Sequence, residues 1–498
     1  MRFWIILLAA LLLRSVFFVG FALGDDLAYV SRVNEILSGH YPQLDPLNQY
    51  AYRPFLLYLF TGGVAVFGHT DFGVVAPVLL CSLLTVAIVY GFARTLVHAD
   101  AAAWCAVLFA FEPFNVINST TMTNDVVLAC LTFGAVTLFL EADRQVLRRS
   151  SDGLNIAAGV LMVAAFLTKI TMLPALVALG IYSLARLRSA GAAVVRAHSP
   201  FYATFLAGMI LVCLVYYLKA GDPFWQFRAE TQYYETYKPD WYKSGAIDYP
   251  YLMWQYPRSL FGRSGYEDFT YREHGWLFWL FLPAAVAAVR RPANGILRFL
   301  VLFVCVVFAF FEFYPQYVRP YYLPLVRQER YLEMLVPAAV IVVGWWLYEL
   351  SRRQRVVAGI ALCVFLGDAM WQASRRSELY NDSQQDLRAL GAYARSTVAP
   401  TGKRLGVDVP ARNALAFYVD RTPIQLESLE QDDVQDFAGG YIAVGGARSF
   451  WWSKEFTLRM PRQDVPDDWV LTFEVPGTRR PWRDSSLRVY YVPDRNSR

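Results

Sequence analysis

The chain has 498 residues, 56% of them hydrophobic and only 17% charged. Soluble domains carry about a quarter charged residues, so this composition excludes an ordinary soluble enzyme and indicates a polytopic α-helical membrane protein. The net charge of +5 calls for no nucleic-acid partner, because the basic residues cluster beside apolar segments, where membrane topology accounts for them.

Residues 3–23 form an apolar run interrupted only by Arg14, of about the 20 residues that a spanning helix needs. A cleaved signal peptide is the alternative, since Arg2 precedes the apolar core and Ala22 and Gly24 are small. The run leads into Gly24-Asp25-Asp26-Leu27-Ala28-Tyr29, where two adjacent carboxylates meet water at the membrane surface. Two such charges raise one pKa or hold a cation, here a divalent one, between them. Either outcome suits removal of a proton from a hydroxyl. A solvated acidic loop is the plainer reading of the same residues. Leu27, Val30, Val33 and Leu37 then recur at helical spacing, which predicts a short amphipathic helix on the bilayer surface, ended by Gly39.

Tyr52-Arg53-Pro54 opens an apolar run to Phe67 that is short for a crossing and reads as re-entrant or interfacial. Further predicted spans are 72–97, 101–111, 126–140, 154–171, 172–186, 201–218, 275–289, 296–313, 331–349 and 356–371, which with the first make eleven if 54–67 does not cross. That count puts Arg94, the cluster Arg144, Arg148 and Arg149, then Arg186, Arg188 and Arg196, Arg290, Arg291 and Arg298, and Arg352, Arg353 and Arg355 on one side. By the positive-inside rule that side is cytoplasmic. The expectation is therefore an inner (plasma) membrane protein with its N-terminus inside and its C-terminus outside. A spanning domain, 1–374, carries outer loops 24–71, 112–125, 219–274 and 314–330, and residues 375–498 form a small extracytoplasmic α/β domain.

The loop 219–274 holds Phe224, Trp225, Tyr233, Tyr234, Trp241, Tyr242 and Trp254, which read as interfacial anchors or, more sharply, as sugar-stacking platforms. In the tail, 383–398 has helical spacing, and 404–409, 441–444, 469–475 and 487–492 read as strands. Gly439-Gly440 and Gly445-Gly446 lack the spacing of a nucleotide-binding loop. All six cysteines fall in different apolar segments, and the five histidines show no ligand spacing, so no disulfide framework or zinc site can be read from them. Asn118-Ser119-Thr120 and Asn381-Asp382-Ser383 match the glycosylation sequon, a pattern without consequence in a host that lacks the machinery.

These features in this order resemble the membrane glycosyltransferases of GT-C fold that use polyprenyl-phosphate sugars, among them the protein O-mannosyltransferases and lipid A aminoarabinose transferases. The resemblance covers roughly residues 1–350. It rests on Asp25-Asp26, where the family shows Asp-Glu, and on Arg53-Pro54-Phe55-Leu56-Leu57-Tyr58, where it shows a basic residue, prolines and an apolar run. Asp125 at the start of a span, Leu167-Thr168-Lys169 and Arg330-Tyr331-Leu332 complete it. The implied activity moves a sugar from a polyprenyl-phosphate donor to a hydroxyl of a glycan, lipid or protein acceptor on the outer face of the bilayer. The resemblance implies Asp25 as general base, with Asp26 or Asp125 as partner or cation ligand. It implies Arg53, Lys169 and Arg330 as the cations that meet the leaving phosphate, a role that suits arginine's bidentate geometry.

Each residue also has a structural reading. Asp125 suits a helix N-terminus, Lys169 can snorkel to the interface, and Arg330 can pair with Glu329 or Glu333. Arg319 and Arg327 are further cations in that loop. Ala51-Tyr52 stands where the aminoarabinose enzymes carry an acidic residue, and His274 lies at the far end of its loop. The resemblance therefore carries neither a bound zinc nor that particular substrate onto this chain. The competing class is a transporter or flippase of a lipid-linked sugar. Transporters favour inverted repeats and midplane sites, whereas this sequence has no evident repeat and gathers its candidate charges at one lip of the membrane.

Overall fold

The structure, a computed structural model, describes residues 2–22, 25–45, 50–145, 150–236, 249–266, 269–291, 295–317, 323–324, 328–419, 422, 424–430, 433–434, 437–445, 464–477 and 486–494. They form two compact units, one of Met1–Phe18, Pro42–Leu59 and Ala76–Arg376, the other of Val19–Tyr41, Phe60–Val75 and Ser377–Arg498.

Among the described residues, eight helices are long and apolar enough to cross a membrane: Asp71–Val97, Asn124–Arg144, Ser151–Thr168, Ile170–Ser189, Ala192–Ala220, Gly295–Phe313, Glu329–Arg353 and Arg355–Thr401. Pro54–Phe67, Ala99–Phe111 and Leu277–Arg290 are shorter apolar helices. The expected span 3–23 is helical only over Arg2–Val16. Gly20, at φ 85°, takes a left-handed conformation that a continuing α-helix cannot contain. Residues 154–186 divide at Lys169, whose extended backbone (φ −167°, ψ 134°) separates Ser150–Thr168 from the 3₁₀ turn Ile170–Met172 and the helix Leu173–Ala190.

In the first unit, Asn124–Arg144 is the most enclosed span and packs along Ser150–Thr168. Near its C-terminal end the Asp143 carboxylate accepts the Tyr182 hydroxyl at 2.8 Å and Arg186 Nε at 3.1 Å, and lies 3.0 Å from His198 Nε2. One carboxylate thereby ties together three spans. Gly344 in Val336–Arg353 sits so close to Ala102–Phe111 that a Cβ there would lie 2.6–2.7 Å from Cys105 atoms. Small residues allow this backbone approach between apolar helices. Ala192–Ala220 instead exposes Leu206, Ile210, Leu211, Leu214 and Leu218, the surface expected against lipid tails.

The second unit contains a five-stranded sheet in the order Gln425–Ser428, Arg404–Val407, Gly440–Val444, Leu487–Val492, Val470–Val475. The first three strands are parallel, and the last two join antiparallel. Helix Val409–Tyr418 makes the crossover that the parallel pair needs. Leu429, Val434, Phe437, Ile442, Val444, Tyr490 and Val492 form the core on one side. Gln425–Ser428 was not expected, because a partly exposed, polar edge strand has no apolar alternation to announce it. The tail helix expected at 383–398 is the end of one helix, Arg355–Tyr393, continued by Ala394–Val398 in a wider π turn.

Candidate active site

Residues 112–125, expected as a short outer loop, are buried throughout. Glu112 Oε2 accepts the Asn115 amide at 2.6 Å and caps the helix Pro113–Asn118, whose leading proline needs no amide partner. Serine and threonine side chains then close the turn: Ser119 on Val116, Thr120 on Ile117 and Thr121 on Asn118. The chain straightens at Thr123 (φ −98°, ψ 138°) and starts Asn124–Arg144, with Asp125 in its first turn. Asp125 therefore does occupy a helix N-terminus, and it does more.

Lys169 Nζ donates to Asp125 Oδ1 at 2.7 Å, with both side chains at most 4% exposed. The break in the backbone at Lys169 turns the ammonium inward, so the side chain is paired inside the protein rather than extended to the interface. Its Nζ also stands 3.9 Å above the Tyr331 ring, a cation–π contact. Arg330 Nε lies 3.3 Å from Asp125 Oδ2 and donates to Gln328 Oε1 at 2.9 Å, so its carboxylate partner is Asp125 rather than a neighbour on its own turn. Arg53 is buried just ahead of the helix Pro54–Phe67. Burial lowers the Lys169 pKa most; the Asp125 charge opposes that, and Arg330 and Arg53, close enough to be felt, lower it further. Lys169, Arg330 and Asp125 are thus brought together, with Arg53 near enough for its charge to act on Lys169.

Sequence reasoning missed what lies beside this cluster. Arg14, fully buried, donates to Ser82 Oγ at 2.9 Å, to the carbonyls of Ala10 and Ala110 at 3.0 Å each, and to Asn115 Oδ1 at 2.7 Å. Asn115 Nδ2 donates in turn to Glu333, which shares the 3₁₀ turn Glu329–Leu335 with Arg330. Glu112 Oε1 stands 2.8 Å from His274 Nδ1, both residues fully enclosed. Beside it, Arg376 donates to Glu273 at 2.6 Å and lies 4.3 Å over the Phe114 ring. Burial pushes the Glu273 carboxyl above its usual range while Arg376 pulls it back. The one signal available in advance was Arg14 itself, an arginine inside an apolar run.

The acidic pair belongs to the second unit. It is not a loop: Asp25 and Asp26 are the first residues of the helix Asp25–Leu37, where carboxylates are favoured. Tyr29, Val30 and Val33 are buried, so the helix is amphipathic as expected. Asp26 is buried and its Oδ2 accepts the Ala22 amide at 2.8 Å, while Asp25 is half-buried. Arg319 and Arg327 lie outside the described residues. Among the described residues no group of three or more His, Cys, Asp or Glu side chains stands together as a cation site.

Spanning helices, a buried cationic cluster at one break between them and a small sheet after the last define the class. The chain has the GT-C fold of membrane glycosyltransferases. The family described as dolichyl-phosphate-mannose-protein mannosyltransferase matches residues 51–218. ArnT from Cupriavidus metallidurans in the apo state is similar, with a TM-score of 0.58 and 15% identity over 98% of this chain and 97% of that one. The same protein bound to undecaprenyl phosphate gives 0.59 at the same identity and coverage. An Archaeoglobus fulgidus oligosaccharyltransferase in complex with Zn and sulfate matches with a TM-score of 0.55 and 13% identity, covering 86% of this chain and 62% of that one. No curated protein matches the chain by sequence.

Proposed function

We propose that this chain is an integral membrane glycosyltransferase that moves a sugar from a polyprenyl-phosphate donor to a hydroxyl of a glycan, lipid or protein acceptor. The observation that carries the reading is the pairing of two cations, Lys169 and Arg330, with one buried carboxylate, Asp125, while Arg53 is near enough for Lys169 to feel its charge. Like charges are gathered in a desolvated place only at a cost, and a phosphate anion offsets that cost. The undecaprenyl phosphate bound by the similar ArnT supports the same ligand class here.

In the reaction, the acceptor oxygen bonds to the anomeric carbon as the bond from that carbon to the donor phosphate breaks. Charge grows on the departing lipid phosphate, and fixed cations that need no reorganisation stabilise it. The acceptor proton goes to a carboxylate of the acidic pair. Asp25 is the base, and Asp26, buried and bonded to Ala22, sets where the helix begins. Asp125 holds Lys169 and Arg330 in register. The arginine clusters on one side of the spans support an N-terminus in the cytoplasm, a tail domain outside and a site at the outer lip of the membrane.

The test is a transfer assay in membrane extracts with a panel of polyprenyl-phosphate sugars, comparing the wild type with Arg53→Ala and Lys169→Ala. Both variants should lose donor use while still inserting. Full transfer by either overturns the role proposed for that cation; movement of intact donor across liposomes without transfer would favour a flippase.

A further inference from the structure

We infer that Asp71 is a positioning residue for transfer: it fixes the backbone that delivers the acidic pair. The inference rests on the proposal that Asp25, or its neighbour Asp26, accepts the acceptor's proton.

The chain leaves the helix Arg2–Val16 and runs without regular structure over residues 18–22 before the helix Asp25–Leu37 begins. Backbone of that kind has no helical neighbours to satisfy it, so its path is set by whatever else bonds to it. Within the second unit the Val19 carbonyl and the Phe21 amide, on either side of Gly20, are held from one place. Asp71 Oδ1 accepts the Phe21 amide at 3.0 Å and the Tyr418 hydroxyl at 2.9 Å. Its Oδ2 lies 3.4 Å from Arg388 Nε, and Arg388 Nη2 donates to the Val19 carbonyl. Between those two points Gly20 is left-handed and packed on Asp71, where a Cβ would lie 2.7 Å from Asp71 Cγ. The next amide, that of Ala22, is the one bonded to Asp26 Oδ2.

The sequence of links is therefore continuous, from Asp71 through the pinned strip to Asp26. Burial, and then the Asp71 charge, hold the Tyr418 phenol above its usual range, so it stays a donor. Arg388 supplies the balancing charge and is itself steadied by Asn381 at 2.9 Å. Phe21, fully buried, stacks on Phe417 with centroids 5.1 Å apart and anchors the strip further. Asp71 is a positioning residue in that it bonds the strip and not the acidic side chains themselves.

The experiment uses the full chain in nanodiscs. It compares Asp71→Ala, Asp71→Asn and Tyr418→Phe, with Asp71→Ala also placed in an Asp25→Asn, Asp26→Asn background. Displacing a reacting group by about 1 Å costs on the order of 10²-fold, so Asp71→Ala should lower kcat by about that factor with donor KM within about twofold. Hydrogen exchange at Phe21 and Ala22 should quicken in the same variant. Asp71→Asn, which keeps a carbonyl oxygen for both donors, should recover part of kcat. Tyr418→Phe, which removes one hydrogen bond, should show a smaller loss of the same kind and serves if Asp71→Ala does not insert. In the doubly substituted background Asp71→Ala should change kcat little, because residues that act through one another are not additive. A multiplicative loss there, or a donor KM that rises as much as kcat falls, overturns the inference. Full kcat in Asp71→Ala, with the acidic-pair variants inactive, overturns it alone. Full transfer by the acidic-pair variants overturns the base assignment and this inference together.

Discussion

The pairing of Lys169 with Asp125 gives the sharpest separation of structure from chemistry. Lys169→Met keeps the length of the side chain and removes its charge, leaving Asp125 at 2% exposure with Arg330 at 3.3 Å as its remaining cation. Removing one partner of a buried pair costs about 3–5 kcal/mol. Arg330, itself 30% exposed, recovers part of that, so a loss of about 2–3 kcal/mol is expected. Asp125→Asn leaves a buried ammonium facing Arg330 and Arg53. Lys169 can escape by giving up its proton, which holds the cost to a similar size. The double variant has no buried pair to break, so the singles should not add: a coupling of about 2–3 kcal/mol is expected. At roughly 2–4 °C per kcal/mol, that is a recovery readable in the melting transition of the detergent-solubilised protein. Transfer should not recover with it, because the phosphate would still lack its lysine. Additive melting shifts would refute the coupling, and a double variant with restored transfer would show that Lys169 serves the fold alone.

Three further outcomes are expected. Asp25→Asn should insert normally and lose about 10²- to 10⁴-fold in transfer rate, and Asp26→Asn should lose less; equal, full activity in both, read with the same donor panel, would refute the assignment. Single cysteines at Ser189 and at Thr401, in a chain whose six native cysteines are replaced, should react with an impermeant label from opposite sides of the membrane; labelling from one side would sink the topology. Gly344→Ala puts a methyl group against Cys105 at 2.6–2.7 Å and should lower stability by about 1–3 kcal/mol, measured as a fall in melting temperature with little effect on donor KM.

Much of the spanning region was legible because the bilayer imposes one rule on every segment: about 20 apolar residues with charges at the ends. All the expected spans are helical somewhere along their length. The boundaries were less legible where a local device overrides the run, as Gly20 does for the first helix and the break at Lys169 does for the fourth and fifth. Arg53, Lys169, Arg330 and Asp125 were found as residues, but their meeting was not, since Asp125 and Lys169 are 44 positions apart. Glu112 and Asn115 give no signal at all, and Glu333 appears in the sequence only as a partner for Arg330, not for Asn115. A polar side chain buried between helices looks, in one sequence, like a polar side chain in a loop. The sequence suggests a loop at the acidic pair because its visible periodicity begins at Leu27, two residues after the helix does. The sequence of the long helix Arg355–Tyr393 suggests two elements because its first half is apolar and its second half charged, although the backbone is continuous through both.

The enclosure of residues 112–125 bears on how this protein can be produced. Asn118-Ser119-Thr120 is a sequon, yet in the folded chain Asn118 is 5% exposed, its amide oxygen accepts from Arg376 at 3.3 Å, and the two residues after it are closed off completely. A eukaryotic secretory host attaches its oligosaccharide to the nascent chain, before that enclosure exists. A glycan on Asn118 would then have nowhere to go as the helices close, and the product would be retained as misfolded material. Bacterial expression, or Asn118→Gln in a yeast or insect host, avoids the trap.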